Sequence, residues 1–129
     1  MDWDDQLPKE LSTKIVLWFA ELALLPQIKV PRCLQLKEQV KLVCLHVFVD
    51  ASQDAYGAVV YEKVEYQNET SSVRLVASKT KVAPLQSLSI PRLELMGAVL
   101  GNKLAQTIVN VLTISKDAVT FWIDSTSVL

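Results

Sequence analysis

The chain has 129 residues, half of them hydrophobic, with 13 Lys and Arg against 14 Asp and Glu. That length suits one domain with a core of its own. The near balance of charge excludes a nucleic-acid surface spread over the whole molecule and leaves room only for a local basic patch.

Two cysteines, Cys33 and Cys44, follow an N-terminus, MDWDDQLPKE, that is acidic and polar where a secretory leader is basic and then apolar. Both features point to a reducing, intracellular compartment. The longest apolar stretch, Ile15 to Pro26, is broken by Glu21 and is shorter than the about 20 apolar residues of a membrane span, so no membrane is expected as a partner.

Residues 8–25 read as a helix, with Pro8 in its first turn and Ile15, Trp18, Phe19, Leu22 and Leu25 at helical spacing. Pro26 and Pro31 end it and force an extended connection. A boundary is expected near residue 38, dividing a helical linker or connection segment, residues 1–38, from a folded part, residues 39–129.

That folded part opens with three strand signals rich in β-branched and aromatic residues: Val43 to Val49, Ala58 to Val64 and Val73 to Ser78. The gaps DASQDAYG and EYQNETSS are short and polar, so an antiparallel meander is expected. From Pro91 the period changes. Leu93, Met96, Leu100, Leu104, Ile108 and Leu112 recur at steps of three and four, with Ser89 or Ile90 at the cap, predicting a helix of about 20 residues. Gly97 and Gly101 weaken that helix and suit a close approach of another backbone. AVTFWID is a fourth strand. The order β-β-β-α-β implies an α/β fold with a mixed sheet, the crossover helix letting the fourth strand run parallel to an earlier one.

Two strand ends read alike: VFVDAS, ending in Asp50, and FWIDST, ending in Asp124. In parallel neighbours about 4.8 Å apart, both carboxylates would leave the same edge of the sheet. Glu94 sits in the opening turns of the long helix, where packing needs no acid. Carboxylates that converge repel one another unless a cation neutralises them. All-oxygen donors suit Mg²⁺ or Mn²⁺ rather than zinc. Such clusters support in-line attack of water on a phosphodiester. Each acid also has a plain reading, Asp50 and Asp124 as turn residues and Glu94 as an acid favoured by the helix dipole.

FVDASQDAYGAVVY, SKTKVAPLQSLSIPRLELMGAVLG and FWIDST together resemble the ribonuclease H-like region of the polyprotein of BEL/Pao long-terminal-repeat retrotransposons. WDDQLP and IKVPRCL resemble the segment that joins the reverse transcriptase to that region. The resemblance implies a ribonuclease H-like mixed sheet and a two-metal endonuclease that cuts RNA in RNA/DNA hybrids during reverse transcription. It implies Asp50, Glu94 and Asp124 as catalytic and metal-binding residues with Mg²⁺ or Mn²⁺. Implied partners are the RNA/DNA hybrid and the reverse transcriptase and integrase parts of the same polyprotein, in a cytoplasmic virus-like particle.

The family pattern runs on past Leu129, with a fourth acid, further helices and a fifth strand. The expectation is therefore a domain incomplete at its C-terminus, with an uncovered sheet face and edge, impaired in activity, and weakly stable or oligomeric. The alternative is a non-catalytic nucleic-acid-binding or structural remnant. An aspartic peptidase is disfavoured, because DAS and DST lack the Gly of the Asp-Thr-Gly or Asp-Ser-Gly loop.

Lys79, Lys81 and Arg92 bracket the loop before the helix and suit phosphate contacts. Tyr56 is a candidate for packing on a sugar or base. Ser52 and Ser125 are expected to cap turns, His46 to be a satisfied strand residue, and Trp122 to fill the core.

Overall fold

The structure is a computed structural model, and it describes residues 6–30, 33–34 and 39–125. Its contacts divide the chain into Met1–Arg32 and Cys33–Leu129. Pro31 and the predicted boundary near residue 38 lie outside the described residues.

In the first unit, α1 spans Lys9–Glu21 and a 3-10 stretch, Leu22–Gln27, continues it. Pro8 stands at the cap, one position earlier than expected, and its carbonyl accepts from the Ser12 N–H at 2.9 Å. The final turn tightens from α to 3-10 geometry where Pro26 brings no N–H for an α-type bond. Val16, Leu17, Trp18 and Phe19 are all exposed, with Trp18 and Phe19 packed edge to face.

The second unit holds a four-stranded sheet and one long helix. Strands β1 (Val40–Ala51), β2 (Ala55–Tyr66) and β3 (Ser71–Val82) form the expected antiparallel meander. Helix α2 (Ile90–Leu112) then crosses over, and β4 (Val119–Trp122) pairs parallel to β1, giving the sheet order β3-β2-β1-β4. The α/β class and the mixed sheet follow the sequence reading.

The first three strands run longer than propensity alone suggests. Cross-strand pairing carries polar residues such as Asp50, Glu65 and Lys81 into the ladder, because what a strand residue needs is a partner strand more than an intrinsic preference. The fourth strand is shorter than AVTFWID, and Ile123 and Asp124 continue past its end.

The turns are built locally. Between β1 and β2 the Ser52 N–H donates to the Ala55 carbonyl at 2.8 Å, and Ser52 Oγ accepts from the Asp54 and Ala55 N–H groups. Between β2 and β3, Asn68 Oδ1 accepts from both the Thr70 N–H and its hydroxyl.

The core lies between α2 and one face of the sheet. Leu45, Val47 and Val49 of β1 alternate inward, as do Ala58 and Val60 of β2, and they meet Leu93, Leu100, Ala105, Ile108 and Val109 of α2. Gly97 and Gly101 let the helix approach. A Cβ on Gly101 would stand 2.7 Å from Val49 Cγ2, and one on Gly97 2.9 Å from Val49 Cγ1. By length and composition alone α2 is also apolar enough for a membrane span; in this fold its buried face packs on β1 and β2.

Trp122 does not fill the core, contrary to expectation. It is half exposed and aligned with Phe48. The pleat turns both side chains away from α2, and the inward place falls to Ile123. Trp122 stacks on Phe48, with ring centroids 5.9 Å apart, and its Nε1–H donates to His46 Nδ1 at 3.0 Å. His46 is thus satisfied, as expected.

Candidate active site

Parallel pairing of β1 with β4 sets the position of the two Asp residues. The ladder aligns Leu45 with Val119 and ends with Phe48 beside Trp122. Two residues further along the same register come Asp50 on β1 and Asp124 just beyond β4. Both line a depression of about 660 Å³ on the sheet face turned away from α2, together with Phe48, Trp122, Ser78 and Thr80. Both are exposed. Asp50 is the penultimate residue of β1, across from Gly57, and its Oδ1 accepts from the Ala51 N–H at 2.8 Å.

Glu94 comes from α2, one residue past the first turn. It does not line the depression. Its position at this end of the sheet is fixed one turn later, where a Cβ on Gly97 would stand 3.5 Å from the Asp50 carbonyl oxygen. The buried Ser125, directly after Asp124, donates its hydroxyl to Glu94 Oε2. This hydrogen bond ties the helix acid to the segment that carries Asp124. Ser125 was expected to cap a turn; its hydroxyl bridges two elements. Ser52 does cap its turn.

The structure therefore brings Asp50 and Asp124 to one depression and engages Glu94 with Ser125. Among the described residues, no three His, Cys, Asp or Glu side chains are grouped so as to hold a metal ion.

The basic candidates gather on the other side of the sheet. Tyr56, Lys81 and Arg92 line a smaller depression of about 330 Å³ with Lys103, Met96 and Val99. Tyr56 pairs across the ladder with both Ala51 and Lys81, which sets this basic hollow one residue along from Asp50. Tyr56 itself is buried, so its ring forms part of the floor. Lys79 lies two residues along β3 from Lys81, opposite Ala58, on the same face. The ion pairs among the described residues are Lys14–Glu10 and Lys63–Glu65, so none of these four cations is in an ion pair there.

Sequence reasoning missed Lys103. Its signal was helical spacing: eleven residues after Arg92 is close to three turns, which returns a side chain to the same stripe.

The model of the Pao retrotransposon-like RNaseH-like domain family matches residues 1–125. No curated protein and no solved structure matches the chain. With a match over nearly its whole length, and the β-β-β-α-β order and mixed sheet of such a fold, the chain belongs to the Pao retrotransposon-like RNaseH-like domain family.

Proposed function

We propose that this domain is a metal-dependent nuclease that hydrolyses the RNA strand of RNA/DNA hybrids during reverse transcription. The observation that carries the reading is the pair of exposed carboxylates, Asp50 and Asp124, facing one depression from neighbouring parallel strands.

The donor set fits a hard cation. Asp50, Asp124 and Glu94 offer only carboxylate oxygens, which suit Mg²⁺ or Mn²⁺. Asp50 and Asp124 would hold it, and Glu94 would join them by exchanging its Ser125 hydrogen bond for the ion. Bound there, the metal supplies charge stabilisation for the in-line displacement at a phosphodiester.

The chain's own groups do the rest. Ser125 keeps Glu94 at the end of the sheet where the two Asp residues emerge. Lys79, Lys81, Arg92 and Lys103 meet phosphates of the hybrid on the opposite face of the sheet, and Tyr56 supports that hollow from beneath. The partners in this reading are the hybrid and the reverse transcriptase and integrase parts of one polyprotein, within a cytoplasmic virus-like particle.

A second reading is a non-catalytic nucleic-acid-binding or structural remnant. It is favoured by the fact that, among the described residues, two acids and not three share the depression.

One assay separates the readings. The full chain is incubated with a labelled RNA/DNA hybrid in Mg²⁺, in Mn²⁺ and in EDTA. The nuclease reading expects cleavage that EDTA abolishes and that Asp50→Asn removes while the far-UV spectrum stays unchanged. Binding of the hybrid without cleavage in either metal establishes the second reading. Cleavage that persists in Asp50→Asn removes Asp50 from the site.

A further inference from the structure

The end of the sheet away from Asp50 holds a carboxylate that has no counterpart in the proposed nuclease site. Glu62 of β2 is only 2% exposed, and its Oε2 is buried without a hydrogen-bond partner among the described residues. The alternation of β2 explains how it came to be inside. Ala58, Val60, Val64 and Tyr66 are the buried positions of the strand, and Glu62 occupies the same phase. A buried carboxylate with an unfilled acceptor is costly unless something neutralises it. Burial alone pushes the Glu62 carboxyl above its usual range.

The obvious internal partner does not serve. Arg74 stands directly opposite Glu62 across the β2/β3 ladder, and its Nε is also buried without a hydrogen bond. Yet no ion pair joins them among the described residues.

Glu62 instead forms part of the wall of a cavity of about 590 Å³, lined also by Val43 of β1, Leu112 and Thr113 at the end of α2, Ser115, and Cys33. The charge character of that wall is one-sided. The C-terminus of α2 carries the negative end of the helix dipole, and no basic residue stands in its last turn to offset it. A carboxylate and a helix C-terminus around one cavity both favour a positive guest. Val43 and Leu112 add apolar wall, and Thr113 and Ser115 are polar residues of the lining, Ser115 Oγ also accepting from the Asp117 N–H.

We propose that this cavity binds an organic cation with an apolar stem, an alkylammonium or alkylguanidinium, its head on Glu62 and its stem along Val43 and Leu112. Two sources share that chemistry: a small free amine, and a Lys or Arg side chain of a peptide partner. The cavity is larger than one such side chain, which leaves space for either with accompanying water. The proposal stands independently of the nuclease reading, since Glu62 takes no part in it.

The test is a titration of the full chain followed by amide nitrogen–proton NMR. Butylguanidinium and butylammonium are the probes, with 1-butanol as the neutral control of similar stem. Expected are saturable shifts at Val43, Thr113 and Ser115, at least tenfold weaker binding of 1-butanol, and at least tenfold weaker binding of the cations to Glu62→Gln. A short Gly/Ser peptide with one central Arg distinguishes the sources. Tighter binding than butylguanidinium assigns the site to a peptide side chain, and weaker binding assigns it to a free amine. Absence of saturable shifts in the unmodified chain, as when Arg74 itself turns in and fills the cavity, overturns the proposal. Equal binding to Glu62→Gln and to the unmodified chain also overturns it, and the amide spectrum of that variant reports directly that it is folded.

Discussion

Asp50 and Glu62 are acids on adjacent strands of one sheet, and their surroundings are opposite. Asp50 sits near the end of β1 with its carboxylate exposed and one oxygen held by the Ala51 N–H. Glu62 points into the helix-covered side, buried, with an oxygen that has no hydrogen-bond partner among the described residues. The cause is the pleat. Asp50 follows the inward Val49 and so turns out, whereas Glu62 is itself in the inward phase. An exposed, partly held carboxylate costs the fold little and is ready for a substrate or an ion. A buried, unheld one costs the fold until a guest arrives. Helix α2 links the two places, with Glu94 near its start and Leu112 at its end, about 27 Å apart by helical rise.

The largest expected effect falls on the exposed acids. In the nuclease reading, Asp50→Asn and Asp124→Asn each lower the hybrid-cleavage rate by at least about 100-fold, near 2.7 kcal/mol of transition-state stabilisation. Neither moves the melting free energy by more than about 0.5 kcal/mol, since both side chains are exposed. A large loss of stability in either variant would mean that the site acids also hold the fold, and the contrast with Glu62 would collapse.

Next comes the helix that joins the two ends. Gly101→Leu forces a side chain into the space between Val47, Val49 and Ala58, where even a Cβ stands 2.7 Å from Val49. The expected loss is about 3 kcal/mol in chemical denaturation, at the upper end of overpacking effects. Cleavage and cation binding should fall together, because both sites depend on where α2 lies. Loss of one with the other retained would show that the two ends are not coupled through the helix.

These residues also show how far the sequence could be read. The twin motifs VFVDAS and FWIDST indicated parallel neighbours, and the β1/β4 register supports that, because alternation and a crossover helix leave few other arrangements. Trp122 was misread by placing it on the face opposite Asp124: two residues apart, the pair shares a face, so the alternation that turns Asp124 outward also turns Trp122 outward beside Phe48. The Ser125–Glu94 bond was not legible locally, because the two residues are 31 positions apart. Glu62 was legible in principle, since the phase of Ala58, Val60, Val64 and Tyr66 points it inward. A charge within an apolar phase reads as an exception rather than as a signal, and nothing in the sequence reveals that Arg74 leaves it unpaired.

Glu62→Leu is expected to raise stability by about 1 to 2 kcal/mol at pH 8, the cost of an unsatisfied buried group. The dependence on pH follows from the raised Glu62 pKa. The folded state holds its proton to higher pH than the unfolded chain, whose Glu titrates near 4.5. The stabilising contribution is therefore complete below about 4.5 and is lost as pH rises through the higher folded value. Denaturation curves at stepped pH should show the unmodified chain weakening across that window and Glu62→Leu staying flat by comparison. Parallel curves would mean that Glu62 is neutralised by a partner within the fold, most simply Arg74.

The smallest effect belongs to Lys103, midway along α2. It lines the hollow with Lys81 and Arg92 and touches neither Asp residue nor the Glu62 cavity. If the hollow takes a phosphate of the hybrid, Lys103→Ala removes one counterion-releasing contact. Binding at moderate salt should weaken a few-fold, and the slope of log affinity against log salt should become shallower by somewhat less than one. The maximal cleavage rate should hold, because an electrostatic contact to backbone phosphate acts on association and not on the displacement at phosphorus. Butylguanidinium binding at Glu62 should also be unaffected. A changed maximal rate with an unchanged salt slope would move Lys103 from phosphate contact to the positioning of α2, and with it Glu94. That outcome would mean that the basic hollow and the acidic depression, on opposite faces of the sheet, work as one site rather than two.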